Sequence, residues 1–353
     1  MSRQDHINEY FNGRAFMVLC AVALVVSAAA ALSLGVQPST TSENGVFFTL
    51  LEPLIANAPL SATVNVLCLL LTGGILLAIN KVFTYVRSMT HLFVSAFFLL
   101  HMANPSGLVT FNAGTLLALV TALTLMPLFA SYQDHHSQYS IFLIFTIVTA
   151  GMMVHYGFLV LIPAYLLGFM NMRAMGIKGV LAMLFGLVTP FWIALGLGIT
   201  TPAQFALPHF EGLWLMTRDA WTSHLTILVA TTALLGVVLA VMNLYTIMNY
   251  RLQTRVYNIF FIIVLVLALI ALCLDFKHLA VYLPLLNLTV AVQVAHVHSL
   301  RDAPYRYLFI LLFTAACIAS CAFTLLPIYI TSLSELIQSQ SFKYHLHAND
   351  FQI

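Results

Sequence analysis

Read for the order of apolar and polar positions, the sequence resolves into long apolar runs separated by short polar or Gly/Pro interruptions. A helix that crosses about 30 Å of hydrocarbon needs about 20 predominantly apolar residues. Runs of about that size lie near 16–35, 60–80, 88–103, 107–131, 139–155, 157–172, 177–199, 223–249, 256–274, 279–298 and 306–331. Two pairs are parted only by a tight turn, at Asn104-Pro105-Ser106-Gly107 and at His155-Tyr156-Gly157, which suits either a reversal or a kink within one span. The runs lack the two-residue alternation of barrel strands. The pattern therefore predicts an all-α, polytopic transmembrane helical bundle of about 11 spans. It forms one integral membrane domain over residues 1–353, with outer loops at 36–59 and 200–222 and an outer tail at 332–353.

Composition agrees. With 61% hydrophobic and 7% charged residues, the chain departs from soluble domains, in which about a quarter of residues are charged. Disordered chains need few apolar residues and secreted disulfide scaffolds need many cysteines, so both classes are excluded. The net charge of +2 is scattered, and no nucleic-acid partner is expected. Lys and Arg stay on the cytoplasmic side of membrane proteins. With the N-terminus inside, Arg3, Arg14, Lys81, Arg87, Arg173, Lys178, Arg251, Arg255, Arg301 and Arg306 fall inside, and only Arg218, Lys277 and Lys343 outside. The acids lean outward: Glu43, Glu52, Glu211, Asp219, Asp275, Glu335 and Asp350, against Asp5, Glu9, Asp134 and Asp302 inside. The run from Val18 to Leu34 follows Asp5 and Glu9 and reads as an uncleaved anchor rather than a basic leader. There is no Gly-rich loop with a following Lys-Ser/Thr to cradle a nucleotide.

Candidate chemistry lies in the outer segments. In the first loop Phe47, Leu50, Leu51 and Leu54 stand at helical spacing, as in a short helix lying in the headgroup plane. Glu52 is then held at the membrane surface, as a general base or as a plain solvated acid. The second loop carries His209, Glu211, Trp214, Arg218, Asp219 and Trp221. Aromatic faces stack on sugar rings and an Arg fork grips phosphate, although Trp also marks membrane interfaces without further function. A third outer cluster, Asp275-Phe276-Lys277-His278, is a charged turn that gains interest if it faces the other two. Glu52 and Arg218 are thus the catalytic candidates, and Trp214, Trp221, His209, Asp219, Asp275 and Lys277 the substrate-binding ones.

Within the spans, Asn65, His91, His101, His155, Asn243, Asn287 and Gln293 are expected to join helices by hydrogen bonds. No acid or base lies at mid-depth of a run, which weighs against ion-coupled transport. The pairs His135-His136, His296-Val297-His298 and His345-Leu346-His347 lack the helical ligand spacing of three or four, so no metal and no cofactor is expected. Cys20, Cys68, Cys273, Cys317 and Cys321 lie in spans and behave as small apolar residues. Pro127, Pro163, Pro190, Pro284 and Pro327 kink or terminate helices.

The segment Val154-His155-Tyr156-Gly157-Phe158-Leu159-Val160-Leu161-Ile162-Pro163-Ala164-Tyr165-Leu166-Leu167-Gly168 is followed by a basic turn at Arg173, then by Gly179 to Trp192. Together with Leu279 to Asn287, it resembles an uncharacterised multipass family of Gram-negative cell envelopes. The layout in turn resembles the polyprenol-dependent membrane glycosyltransferases of the GT-C type and related polysaccharide polymerases. That resemblance implies a multipass protein of the bacterial cytoplasmic (inner) membrane, in contact with membrane lipids and a polyprenyl-phosphate-linked sugar. Glu52 or Glu43 then matches the catalytic carboxylate and Arg218 the phosphate-gripping base. The first loop departs from the pattern, being short and lacking aspartate and paired acids. A non-catalytic subunit that docks other membrane proteins, and a lipid or small-solute carrier, are the alternatives.

Overall fold

The computed structural model describes residues 3–37, 54–86, 90–201, 210–247, 251–300 and 306–350. Every regular element among them is helical. The chain opens with α1 (Arg3–Asn12), α2 (Arg14–Ser33), α3 (Ala58–Phe83) and α4 (Leu92–Met102). It continues with α5 (Ala113–Ala130), α6 (Gln138–Val154), α7 (Leu161–Asn171) and α8 (Ile177–Gly196). A short α9 (Arg218–Thr222) precedes α10 (His224–Ile247), α11 (Leu252–Leu274), α12 (Leu279–Leu300) and α13 (Arg306–Asp350). Short 3-10 turns lie at Pro105–Gly107, Tyr156–Val160, Leu213–Leu215 and Phe276–His278.

Among the described residues each apolar run coincides with a helix, and eight helices are long and apolar enough to cross a membrane. The chain is a multipass helical membrane protein. Three runs depart from the expected length: Leu92–Met102, Gln138–Val154 and Tyr156–Asn171 are shorter apolar helices. The 11 residues of α4 rise only about 16 Å. All of them are buried, so α4 is lined by protein rather than lipid. The segment read as an outer tail continues α13 as helix to Asp350, giving one helix of 45 residues.

Local chemistry explains the breaks. Asn57 and Asn112 cap α3 and α5, their side chains accepting from the Leu60 and Thr115 amides. Thr84, at φ 47, ends α3 in a left-handed cap, and the Asn80 side chain then accepts from the Val86 amide to fold the chain back. At the 104–107 break a proline and a 3-10 turn free backbone groups beside apolar helices. Asn65 donates to the Gly107 and Leu108 carbonyls at 2.9 and 3.2 Å, and the Ser61 hydroxyl accepts from the Phe111 amide at 2.8 Å. Neighbouring side chains thus satisfy the irregular backbone.

Inter-helix contacts sort into two ends. At one end Asn12 meets His91 and His298, Asn258 donates to the Tyr85 carbonyl, and Asn171 to that of Val256. At the other, Asn65 meets Gly107, Tyr156 meets His278, and the Phe276 amide donates to the Glu211 carbonyl. Successive long helices therefore run antiparallel. The central member is α12, whose membrane-length window is 94% buried, against 17% for α8 and α13 at the periphery. It lies so close to α5 that a Cβ on Gly114 would stand 2.5 Å from the Val281 carbonyl oxygen.

Candidate functional site

The turn from α11 into α12 is the most concentrated polar assembly described. Asp275 caps α11, its amide donating to the Ala271 carbonyl, and the Phe276–His278 turn then delivers the chain to α12. Asp275 and His278 are both buried. Asp275 Oδ1 lies 2.8 Å from His278 Nδ1, and the Tyr282 hydroxyl donates to Asp275 Oδ2 at 3.0 Å. The spacing of three and then four residues puts these groups on one helical face. From the turn between α6 and α7, the Tyr156 hydroxyl reaches the same His278 Nδ1 at 2.7 Å.

His155 completes the group. Its Nδ1 accepts from the Gly157 amide at 2.9 Å, and its ring stacks on Tyr156, 4.6 Å between centroids. Lying between two helices, it is buried, and burial pushes its pKa down to about 4. The neighbouring His278 adds to that depression and Asp275 opposes it.

Residues 210–222 cover this assembly. Phe210 meets Tyr156 edge to face at 5.5 Å, and the rings of Trp221 and Phe276 are 6.1 Å apart. The Glu211 carbonyl accepts from the Phe276 amide at 2.7 Å, and Lys277 Nζ donates to Glu211 Oε1 at 2.7 Å. Both side chains of that pair are partly exposed, so it contributes little stability and serves mainly to register the loop.

The sequence-derived candidates have different fates. Asp275 and Lys277 share one turn but part company, the first turning into the bundle and the second outward to Glu211. Trp221 joins them through Phe276, whereas Trp214 is largely exposed with its ring over Gly212. Arg218 and Asp219 open the short α9, of which only their backbone is described. Glu52 and His209 lie outside the described residues. The sequence reading treated His155 as a helix-joining residue and did not single out Tyr156 or Tyr282. The Asp275, His278, Tyr282 spacing was the available signal.

Chemically, a carboxylate only accepts hydrogen bonds, so Asp275 orients the His278 imidazole through Nδ1. Among the described residues no group of three or more His, Cys, Asp or Glu side chains is placed to hold a metal ion. Of the other expected helix-joining residues, Asn65, His91, Asn243 and Gln293 do bridge elements, whereas His101 bonds to Phe97 of its own helix and the Asn287 amide has no partner among the described residues. Compared with protein-family models, curated proteins and solved structures, the chain matches none, so its resemblances identify no family and what stands is a multipass helical membrane protein.

Proposed function

We propose that this chain handles a lipid-linked, phosphate-bearing sugar at the outer face of the bacterial cytoplasmic membrane, in the manner of a GT-C-type glycosyltransferase or polysaccharide polymerase. One observation carries the reading: the 210–222 loop packs on the Asp275–His278 turn, so aromatic rings, charged groups and an oriented imidazole meet at one end of the bundle. That is the equipment such a substrate calls for. Arg218 neutralises the lipid phosphate, Trp214 and Trp221 offer faces to the sugar, and His209, Asp219 and Lys277 bind its polar groups. Glu52 takes the proton of the acceptor hydroxyl, with His278, positioned by Asp275, as the second group suited to that task.

The test is transfer of a labelled sugar from a polyprenyl-phosphate donor, using membranes that carry matched amounts of wild type, Glu52→Gln, His278→Gln or Arg218→Gln. Loss of a general base lowers such a rate by about 10²–10⁴-fold. Whichever of Glu52→Gln and His278→Gln shows this loss names the base, and a loss in Arg218→Gln supports its phosphate role. Full transfer by all three variants removes the catalytic reading.

A further inference from the structure

A second polar enclosure lies where α4, the 104–107 turn, the start of α5 and α12 meet. His101, Asn104, Asn112, Thr115, Pro284 and Asn287 are among the residues that border it, and it offers about 10 Å³ to the centre of a water-sized molecule. That is room for one such molecule.

Its walls are unusually specific about what they accept. His101 Nδ1 lies 2.8 Å from the Phe97 carbonyl oxygen, which only accepts, so the ring proton sits on Nδ1. Nε2 of the neutral ring is then a lone pair, and it has no hydrogen-bond partner among the described residues. The same holds for both amide atoms of Asn287, Oδ1 and Nδ2. His101 is 6% exposed and Asn287 1%. Thr115 and Asn112 are already committed, Thr115 Oγ1 donating to Asn65 Oδ1 at 2.6 Å and the Thr115 amide to Asn112 Oδ1 at 2.9 Å. The unpartnered atoms on His101 and Asn287 are thus two acceptors and one amide nitrogen, and no charged side chain lies on the wall. A cation would be buried without a counter-charge, and an anion would face two lone pairs. A neutral hydroxyl donates and accepts at one oxygen: water, with two hydrogens, suits both acceptors and the amide, and an alcohol suits the amide and one acceptor.

We propose that this enclosure is a binding site for one uncharged hydroxyl group, held between His101 of α4 and Asn287 of α12 and supplied by water or by a small polyol. The site is separate from the Asp275 assembly and does not depend on the function proposed above.

The experiment is ¹⁵N NMR of the full-length protein in lipid nanodiscs with labelled histidine, His101 being assigned by its loss in His101→Phe. In the wild type the His101 Nε2 resonance is expected at the position of a nitrogen that accepts a hydrogen bond. Asn287→Leu, or Asn287→Ser if the first variant fails to fold, is expected to displace it, towards the unbonded position for Leu. Glycerol added to the wild type separates the two sources: a saturable shift identifies a polyol hydroxyl, and no shift identifies water. A wild-type resonance already at the unbonded position, unmoved by either Asn287 variant, overturns the proposal.

Discussion

Asp275 and Lys277 stand two residues apart, yet their side chains do opposite work. Asp275 is enclosed with His278 and Tyr282, and leaving a buried hydrogen-bonding partner of this kind unsatisfied costs about 1–3 kcal/mol. Lys277 joins an exposed pair, of a kind worth about 0.2–1 kcal/mol. Asp275→Asn is therefore expected to lower the Tm in detergent markedly, and Lys277→Ala to leave it almost unchanged. A large loss from Lys277→Ala would reverse this assignment. His155 gives a pH dependence of definite sign. Its folded pKa of about 4 lies below the ordinary value of about 6.5, so between those values the unfolded chain takes up a proton that the folded chain refuses. Stability attributable to this residue is constant above pH 6.5 and falls as the pH drops towards 4, by up to about 1.4 kcal/mol per unit. In Tm against pH, His155→Phe should flatten this part of the curve. From sequence, Asp275 was legible as a polar group at a turn, but its burial was not: the enclosing partners come from Tyr156, Phe210 and Glu211, distant in the chain.

At the level of elements, α12 organises the bundle. On a 3.6-residue helix His278, Tyr282, Thr289, Gln293 and His296 fall within about 60° of arc, and all are buried. The arc carries the Asp275 assembly at one end and the Gln293–Asn243 contact further along, joining α12 to α10. The opposite side of α12 must stay close to α5. Gly114→Leu is accordingly expected to abolish recovery of folded protein, since even a Cβ collides with the Val281 carbonyl. Gly74→Leu, where nothing lies within 4 Å of the added Cβ, should be recovered normally. Equal recovery of the two variants by size exclusion would contradict the packing described. Helix positions were largely legible because apolar runs are local signals. The short α4 was not. Phe93, Phe97 and Leu100 look the same in sequence whether lipid or protein surrounds them, and only their burial separates the cases.

For the molecule as a whole, the antiparallel order set by the contacts at the two ends is compatible with every apolar helix crossing, and the skew of Lys and Arg is the ground for proposing an N-terminus-inside arrangement. In a cysteine-free background, a membrane-impermeant maleimide is then expected to reach Ser106→Cys and Gly198→Cys from outside, but not Lys81→Cys or Asp134→Cys. Labelling of Lys81→Cys and Ser106→Cys from the same face would show that α4 does not cross. The length of α13 has a different consequence. Forty-five helical residues extend about 68 Å, more than twice the thickness of the hydrocarbon layer. A helix of that length exceeds what an anchor needs, so wherever its apolar part crosses the bilayer the remainder continues as helix past the hydrocarbon.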